Sequence, residues 1–165
     1  MRIVFGSDHA GLELKEDLIG HVRGLGHETL DVGTHSPEST DYPIYGAAAA
    51  RKVVSGEADL AIVVCGTGIG IGIAANKVAG IRCAIVSDEF SARMARTHNN
   101  ANALALGARV IGAGLAESIV DAWLGAEFEG GRHARRVGQL AQIEAESLAE
   151  LAADSGAAGS PRTIS

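Results

Sequence analysis

Apolar residues along this chain fall into short continuous runs, separated by stretches in which they recur every three or four positions. The runs have strand length and the recurrences have helical period. Arg2 to Phe5 reads as a first strand. Leu12 to Leu25 reads as a helix with Leu14, Leu18, Val22 and Leu25 on one face, and Gly26 stands where a C-terminal cap glycine belongs. Thr29 to Val32 is a second strand, Gly33 to Pro43 a polar loop, and Tyr42 to Val54 a helix. Leu60 to Val64 is apolar throughout, as a central buried strand should be. A helix over Ile71 to Val78, a strand over Ile81 to Val86 and a helix capped by Ser87 or Asp88 and ending at Arg96 follow. Ala103 to Leu106 is a fifth strand, Leu115 to Leu124 a helix, and Arg132 to about Ala152 the last helix. The small, polar stretch Ala153 to Ser165 reads as a disordered tail. Strands alternating with helices predict an α/β fold, a five-stranded parallel sheet covered by helices, in one domain over residues 1–152.

Composition narrows the function. A length of 165 residues suits one domain, and 47% apolar residues with 22 Gly and 3 Pro suit tight helix–sheet packing. The net charge of −6 argues against a nucleic-acid or anionic-membrane surface. An anionic ligand would need a local basic pocket, and the densest basic run is Arg132-His133-Ala134-Arg135-Arg136. Two isolated cysteines, Cys65 and Cys83, form neither a disulfide framework nor a zinc motif, so a reducing cytoplasm is expected. No stretch reads as a signal peptide or as the roughly 20 apolar residues of a membrane span.

In open α/β sheets ligands bind at the carboxyl ends of the strands. Asp8-His9 follows the first strand, Cys65 ends the third, Ser87-Asp88 follows the fourth and Arg109 the fifth. His98 and the arginines are expected to join them at that edge. Cys65 precedes Gly66-Thr67-Gly68-Ile69-Gly70, a loop that opens a helix. Unpaired amides and the helix dipole there favour a thiolate, which can serve as base or nucleophile. A buried structural cysteine is the alternative, and it is the preferred reading for Cys83 in mid-strand. The loop is not a dinucleotide fingerprint, because Ile71 stands where the third glycine would be, and no Gly-Lys-Ser/Thr makes it a P-loop. With a thiol before it and Thr67 inside it, it can form an oxyanion hole beside a base.

Asp8-His9 could bind sugar hydroxyls, or Asp8 could simply cap the following helix. His98-Asn99-Asn100 offers a proton-transfer group, or a solvated helix end. Arg132 and Arg136 are four residues apart and share a helix face that could clamp a phosphate, with Arg109 reaching the same anion. A solvated basic face is the alternative. His21, His27 and His35 show no ligand spacing, and no His/Asp/Glu set predicts a metal site.

Taken together, Gly6-Ser7-Asp8-His9-Ala10-Gly11, Thr40-Asp41-Tyr42-Pro43, Cys65-Gly66-Thr67-Gly68-Ile69-Gly70 with Ala74-Ala75-Asn76-Lys77, His98-Asn99-Asn100 and Gly130-Gly131-Arg132-His133 resemble the type B ribose-5-phosphate isomerases. That group includes allose-, galactose- and tetrose-phosphate isomerases. The likeness runs in order over about residues 1–145. It implies a Rossmann-like three-layer α/β/α sandwich, a homodimer or tetramer with its active site at the subunit interface, and interconversion of ribose 5-phosphate and ribulose 5-phosphate through a cis-enediolate without metal or organic cofactor. It implies that Cys65 is the base, that His98 assists ring opening, and that Thr67 with the amides of Gly66, Gly68, Ile69 and Gly70 stabilises the enediolate. Asp8, His9, Tyr42 and Asn99 would contact substrate, and Arg109, Arg132, His133 and Arg136 would bind the anionic end, some from the partner. One branch of the group uses a glutamate in the following helix instead of the cysteine. That position is Ile71 here, which places the chain in the cysteine branch. A tetrose 4-phosphate, a hexose 6-phosphate, or phosphosugar binding without turnover are the competing functions.

Overall fold

The computed structural model describes residues 1–157, which divide into two compact units after Glu129. The first holds a five-stranded, all-parallel sheet: β1 (Arg2–Ser7), β2 (Glu28–Asp31), β3 (Leu60–Cys65), β4 (Cys83–Ile85) and β5 (Ala103–Gly107), in the order β2-β1-β3-β5-β4. Between the strands lie α1 (Leu12–Gly24), α2 (Tyr42–Val54), α3 (Ile69–Asn76) and α4 (Glu89–Asn99), with α5 (Ala113–Leu124) after β5. The second unit contains α6 (Arg132–Ala157). The helix thus continues past the expected end at Ala152, and the rest of the expected tail, residues 158–165, lies outside the described residues.

The period-2 alternation of β5, Ala-Leu-Ala-Leu-Gly, explains the layering. Leu104 and Leu106 face one side with Ile3, Phe5, Ile62 and Val64, covered by Leu14, Leu18 and Val22 of α1 and Ile119, Val120 and Trp123 of α5. Ala103 and Ala105 face the other side with Val4, Ala61, Val63 and Cys65, covered by Ala49 and Ala50 of α2 and Ile71 and Ala75 of α3. Large residues hold the first pair of helices off the sheet, and small ones let the second pair approach closely. The result is the expected three-layer α/β/α arrangement.

Several boundaries differ from the sequence expectation for local reasons. Leu25 is exposed because α1 stops at Gly24 and Gly26 turns the chain with φ +85°. α3 starts two residues early because Gly68, at φ +77°, already serves as its N-cap. Of the two cap candidates for α4, Asp88 is the cap: its carboxylate accepts from the Ser91 amide at 2.7 Å, which holds it below the usual carboxylate range.

The chain steps from β1 outward to β2 and then returns across β1 to β3, so the order reverses between β1 and β3. The carboxyl ends of those two strands therefore border the switch-point crevice where ligands bind in such sheets. Gly11 sits there, just before α1, and a Cβ on it would lie 2.5 Å from the Val64 carbonyl oxygen. Gly20, by contrast, lies within α1 with open space around it. Gly11→Ala is expected to lower unfolding stability by about 2 kcal/mol through backbone displacement, and Gly20→Ala to raise it by roughly 0.5–1 kcal/mol. Urea unfolding of both variants checks this, and equal effects would contradict the packing.

Candidate active site

The carboxyl edge of the sheet collects most of the anticipated residues. Cys65 is the last residue of β3, buried, with its side chain on the α2/α3 side. Its carbonyl accepts from the Ala108 amide at 2.9 Å, and the Gly66 carbonyl accepts from the Arg109 amide at the same distance. The glycine loop is thereby tied to the turn leaving β5. The Arg109 side chain lies along Gly66: a Cβ on that glycine would stand 3.6–3.7 Å from Cδ, Nε and Nη1. A guanidinium thus sits at the lip of a loop whose amides open α3, which places positive charge and helix dipole together.

Within the loop, Thr67 is exposed and its hydroxyl accepts from the Ile69 amide at 3.3 Å. Ile69 is exposed. At Gly70 the Tyr42 ring comes so close that a Cβ would lie 2.6 Å from Cζ. Tyr42 therefore rests on the first turn of α3, beside the loop. Ile71, the position a glutamate would occupy in the other branch, is fully buried.

Asp8 takes the capping geometry: its Oδ1 accepts from the amides of Ala10 at 3.0 Å and Gly11 at 3.1 Å. His9 follows, and its Nδ1 accepts from the Thr40 amide at 3.2 Å. A neutral His9 therefore carries its proton on Nε2. Thr40 is held in turn through its hydroxyl, 3.1 Å from that of Tyr45.

Two residues that hold this edge have no role in the sequence reading: Lys15, and Thr40, which enters only within a motif. Lys15 is completely buried, with Nζ donating to Asp31 Oδ2 and the Thr34 carbonyl, both at 2.8 Å. It pins the loop after β2, whose Thr34 amide bonds to the Ser7 carbonyl at 3.0 Å. The signal was present: Lys15, Leu18, Ile19 and Val22 form one helical stripe, and a lysine in such a stripe needs a buried carboxylate. Thr40 acts through its backbone amide, which side-chain chemistry cannot reveal.

His98 and Asn99 do not join this edge. They end α4, which runs antiparallel to the strands, so they lie beside the amino end of β5. Cys65 pairs with Gly107 at the other end of that strand. At about 3.3 Å per residue, β5 alone separates the two ends by roughly 13 Å. The expectation of one shared edge overlooked the return direction of the helix. At the amino end His98 Nε2 lies 4.0 Å from Glu129, and the Glu129 amide donates to the Thr97 carbonyl at 3.1 Å. Arg132, His133 and Arg136 belong to the second unit, at the start of α6. Arg132 Nε lies 3.3 Å from His133 Nε2, and Arg132 and Arg136 are exposed.

Comparison with known proteins gives a consistent likeness. The family model described as Ribose/Galactose Isomerase matches residues 3–140. Ribose-5-phosphate isomerase B of Escherichia coli is 52% identical over 143 residues, 87% of this chain and 96% of that protein. A galactose-6-phosphate isomerase subunit of Clostridium acetobutylicum is 46% identical over 129 residues, 78% of this chain and 75% of that protein. The structure of Clostridium thermocellum ribose-5-phosphate isomerase B superimposes with a TM-score of 0.88 at 54% identity, covering 89% of this chain and 99% of that one.

The second cysteine, Cys83, is the first residue of β4 and is buried. Burial pushes the Cys83 thiol up to about 12, and Asn76 closes around its backbone, accepting from its amide at 2.8 Å and donating to its carbonyl at 2.9 Å. Iodoacetamide at pH 8 is expected to leave Cys83 unmodified in the folded protein and to modify it in urea. Peptide mass spectrometry reads this, and equal rates in both states would contradict the burial.

Proposed function

The chain belongs to the ribose/galactose isomerase family, a family of aldose–ketose isomerases, and we propose that it interconverts ribose 5-phosphate and ribulose 5-phosphate with Cys65 as the base. The observation that carries this reading is the placement of Cys65 at the switch-point edge of the sheet, directly before an amide-lined loop with Arg109 at its lip.

Aldose–ketose isomerisation removes a proton α to a carbonyl and returns it to the neighbouring carbon. The Cys65 thiolate takes the proton from C2 of the open-chain aldose. Negative charge then develops on the enediolate oxygens, where Thr67 and the amides from Gly66 to Gly70 meet it. The hydroxyl proton passes from O2 to O1 of the enediolate, and the resulting thiol returns the carbon-bound proton to C1. No redox partner is required, and the reaction is read as proceeding without metal or organic cofactor. Asp8, His9 and Tyr42 line the sugar's approach, and Arg109 attracts its anionic end.

Ring opening needs a proton donor, and His98 is the candidate. It lies at the opposite end of its own sheet from Cys65, so the reading requires a second copy of the chain to bring His98 and Asn99 to the site. Arg132, His133 and Arg136 are assigned to the phosphate, in either the same or the partner copy. Apolar side chains left exposed on the Cys65 side, Ile44, Ile69, Ile73 and Ile85, support a homodimer or a larger assembly covering that face. Leu140, Ile143, Leu148 and Leu151 of α6 are exposed as well. No helix of the described residues is long and apolar enough to cross a membrane, and the enzyme is read as cytoplasmic.

A hexose 6-phosphate is the second substrate reading, favoured by the likeness to the Clostridium acetobutylicum galactose-6-phosphate isomerase subunit. A tetrose 4-phosphate completes the series. The greater identity and coverage of the Escherichia coli relative support the pentose.

Cys65→Ala is expected to lower turnover of ribose 5-phosphate by at least ~10²- to 10⁴-fold while leaving the melting transition in place. Wild-type turnover in that variant would remove Cys65 from the role. Across four-, five- and six-carbon aldose phosphates, kcat/KM is expected to be highest for the pentose. A chain that only binds phosphosugars would exchange no solvent deuterium into C2.

A further inference from the structure

The turn that carries His98 and Asn99 is held by two guanidinium groups from different elements. Arg82 lies just before β4, and its Nε donates to the carbonyls of Asn99 at 3.1 Å and Asn100 at 3.0 Å. Its Nη2 donates to the Asn100 carbonyl at 2.9 Å. Arg96, one turn earlier in α4, donates from Nη1 to Asn100 Oδ1 at 3.0 Å and to the Ala101 carbonyl at 3.1 Å. The last carbonyls of an α-helix lack intrahelical partners, and cations are favoured there. Here both needs are met by the same pair of side chains.

The turn closes in the left-handed region, which asparagine tolerates better than most side chains. Asn100 has φ +46° and ψ +44° and is the only non-glycine residue with positive φ among the described residues. Its carbonyl is held by Arg82 and its side-chain oxygen by Arg96, so the turn is fixed from two sides. Arg82 is itself fixed to the sheet. Its amide donates to Asn102 Oδ1 at 2.7 Å, and Asn102 Nδ2 donates to the Gly80 carbonyl at 2.9 Å. The Asn102 carbonyl then accepts from the Ala61 amide of β3 at 3.0 Å. The approach of two like charges has a cost: burial first, and the neighbouring Arg82 second, hold Arg96 below the usual arginine range. Asn100 alone suffices to close the helix; the two guanidinium groups are additional to that closure.

We infer that Arg82, with Arg96, is a positioning residue for His98 and Asn99: it fixes the α4 terminus to the amino edge of the sheet so that the imidazole is presented in one orientation to the substrate. The inference rests on the reading of His98 as the group that assists ring opening. Neither arginine touches substrate in this account. Arg82 acts through the Asn99 and Asn100 carbonyls, and Arg96 through the Asn100 side chain and the Ala101 carbonyl that follow. Arg82 reaches both carbonyls through Nε and holds that of Asn100 a second time through Nη2; a lysine at position 82 would offer one point charge on a flexible stem in place of this planar, two-point hold.

The test compares Arg82→Met, Arg82→Lys and His98→Asn in the 165-residue chain. The readouts are steady-state turnover of ribose 5-phosphate, thermal melting, and the imidazole proton resonance of His98, assigned by its loss in His98→Asn. Arg82→Met is expected to lower kcat by ~10- to 100-fold, with KM near the wild-type value and a native melting transition. The His98 resonance should move towards the free-histidine position while the other histidines keep theirs. Arg82→Lys should recover part of kcat. Wild-type kcat with an unmoved His98 resonance in Arg82→Met would overturn the inference. Wild-type kcat in His98→Asn would instead remove the reading on which it rests. Should Arg82→Met lose the native transition, Arg82→Lys carries the test: lowered kcat with a native melt supports the clamp, and wild-type kcat with an unmoved resonance overturns it.

Discussion

An all-parallel sheet imposes one constraint from which most of this molecule follows: every connecting helix must run back against the strands it joins. All strand carboxyl ends therefore meet at one edge, and helix carboxyl ends return to the other. Cys65, the glycine loop, Asp8, His9 and Arg109 are strand-end features and gather at the first edge. His98 and Asn99 are helix-end features and stand at the second. A proton-transfer reaction that needs both sets cannot be completed within one sheet of this kind. On the proposed reading, assembly is therefore part of the catalytic machinery, because only another copy can bring its amino edge to this carboxyl edge.

The same sheet is unequal on its two faces, and the inequality shapes the site. The leucines of β5 meet the bulky stripes of α1 and α5, while its alanines let α2 and α3 come close. That approach brings the Tyr42 ring onto Gly70 and the glycine loop against the turn after β5. It also leaves Ile69 and Ile73, one helical turn apart on α3, facing outward. On the proposed reading, this apolar outer face is the one that another subunit covers.

Much of this was legible in the sequence because periodicity reports which face of an element is buried. The strands at Arg2, Leu60 and Ala103, the helix over Tyr42–Val54 and the position of Cys65 at a strand end all follow from it. So does the joint placement of Asp8 and Cys65. What periodicity does not carry is direction in space, and His98 was therefore expected at the wrong edge. Nor does it reveal bonds made by the backbone: the Thr40 amide on His9 and the carbonyls held by Arg82 have no signature in side-chain type. Lys15 was the exception, a charge in an apolar stripe whose partner, Asp31, ends the neighbouring strand.

The central claim is that one site draws on two chains. It is tested most directly by mixing Cys65→Ala and His98→Asn proteins, each expected to be impaired alone, after dissociation and joint reassembly. A site built from Cys65 of one chain and His98 of another predicts that the mixture regains about a quarter of wild-type activity in a statistically assorted dimer. A mixture no more active than its parents, with hybrid formation verified by mass, would contradict the account.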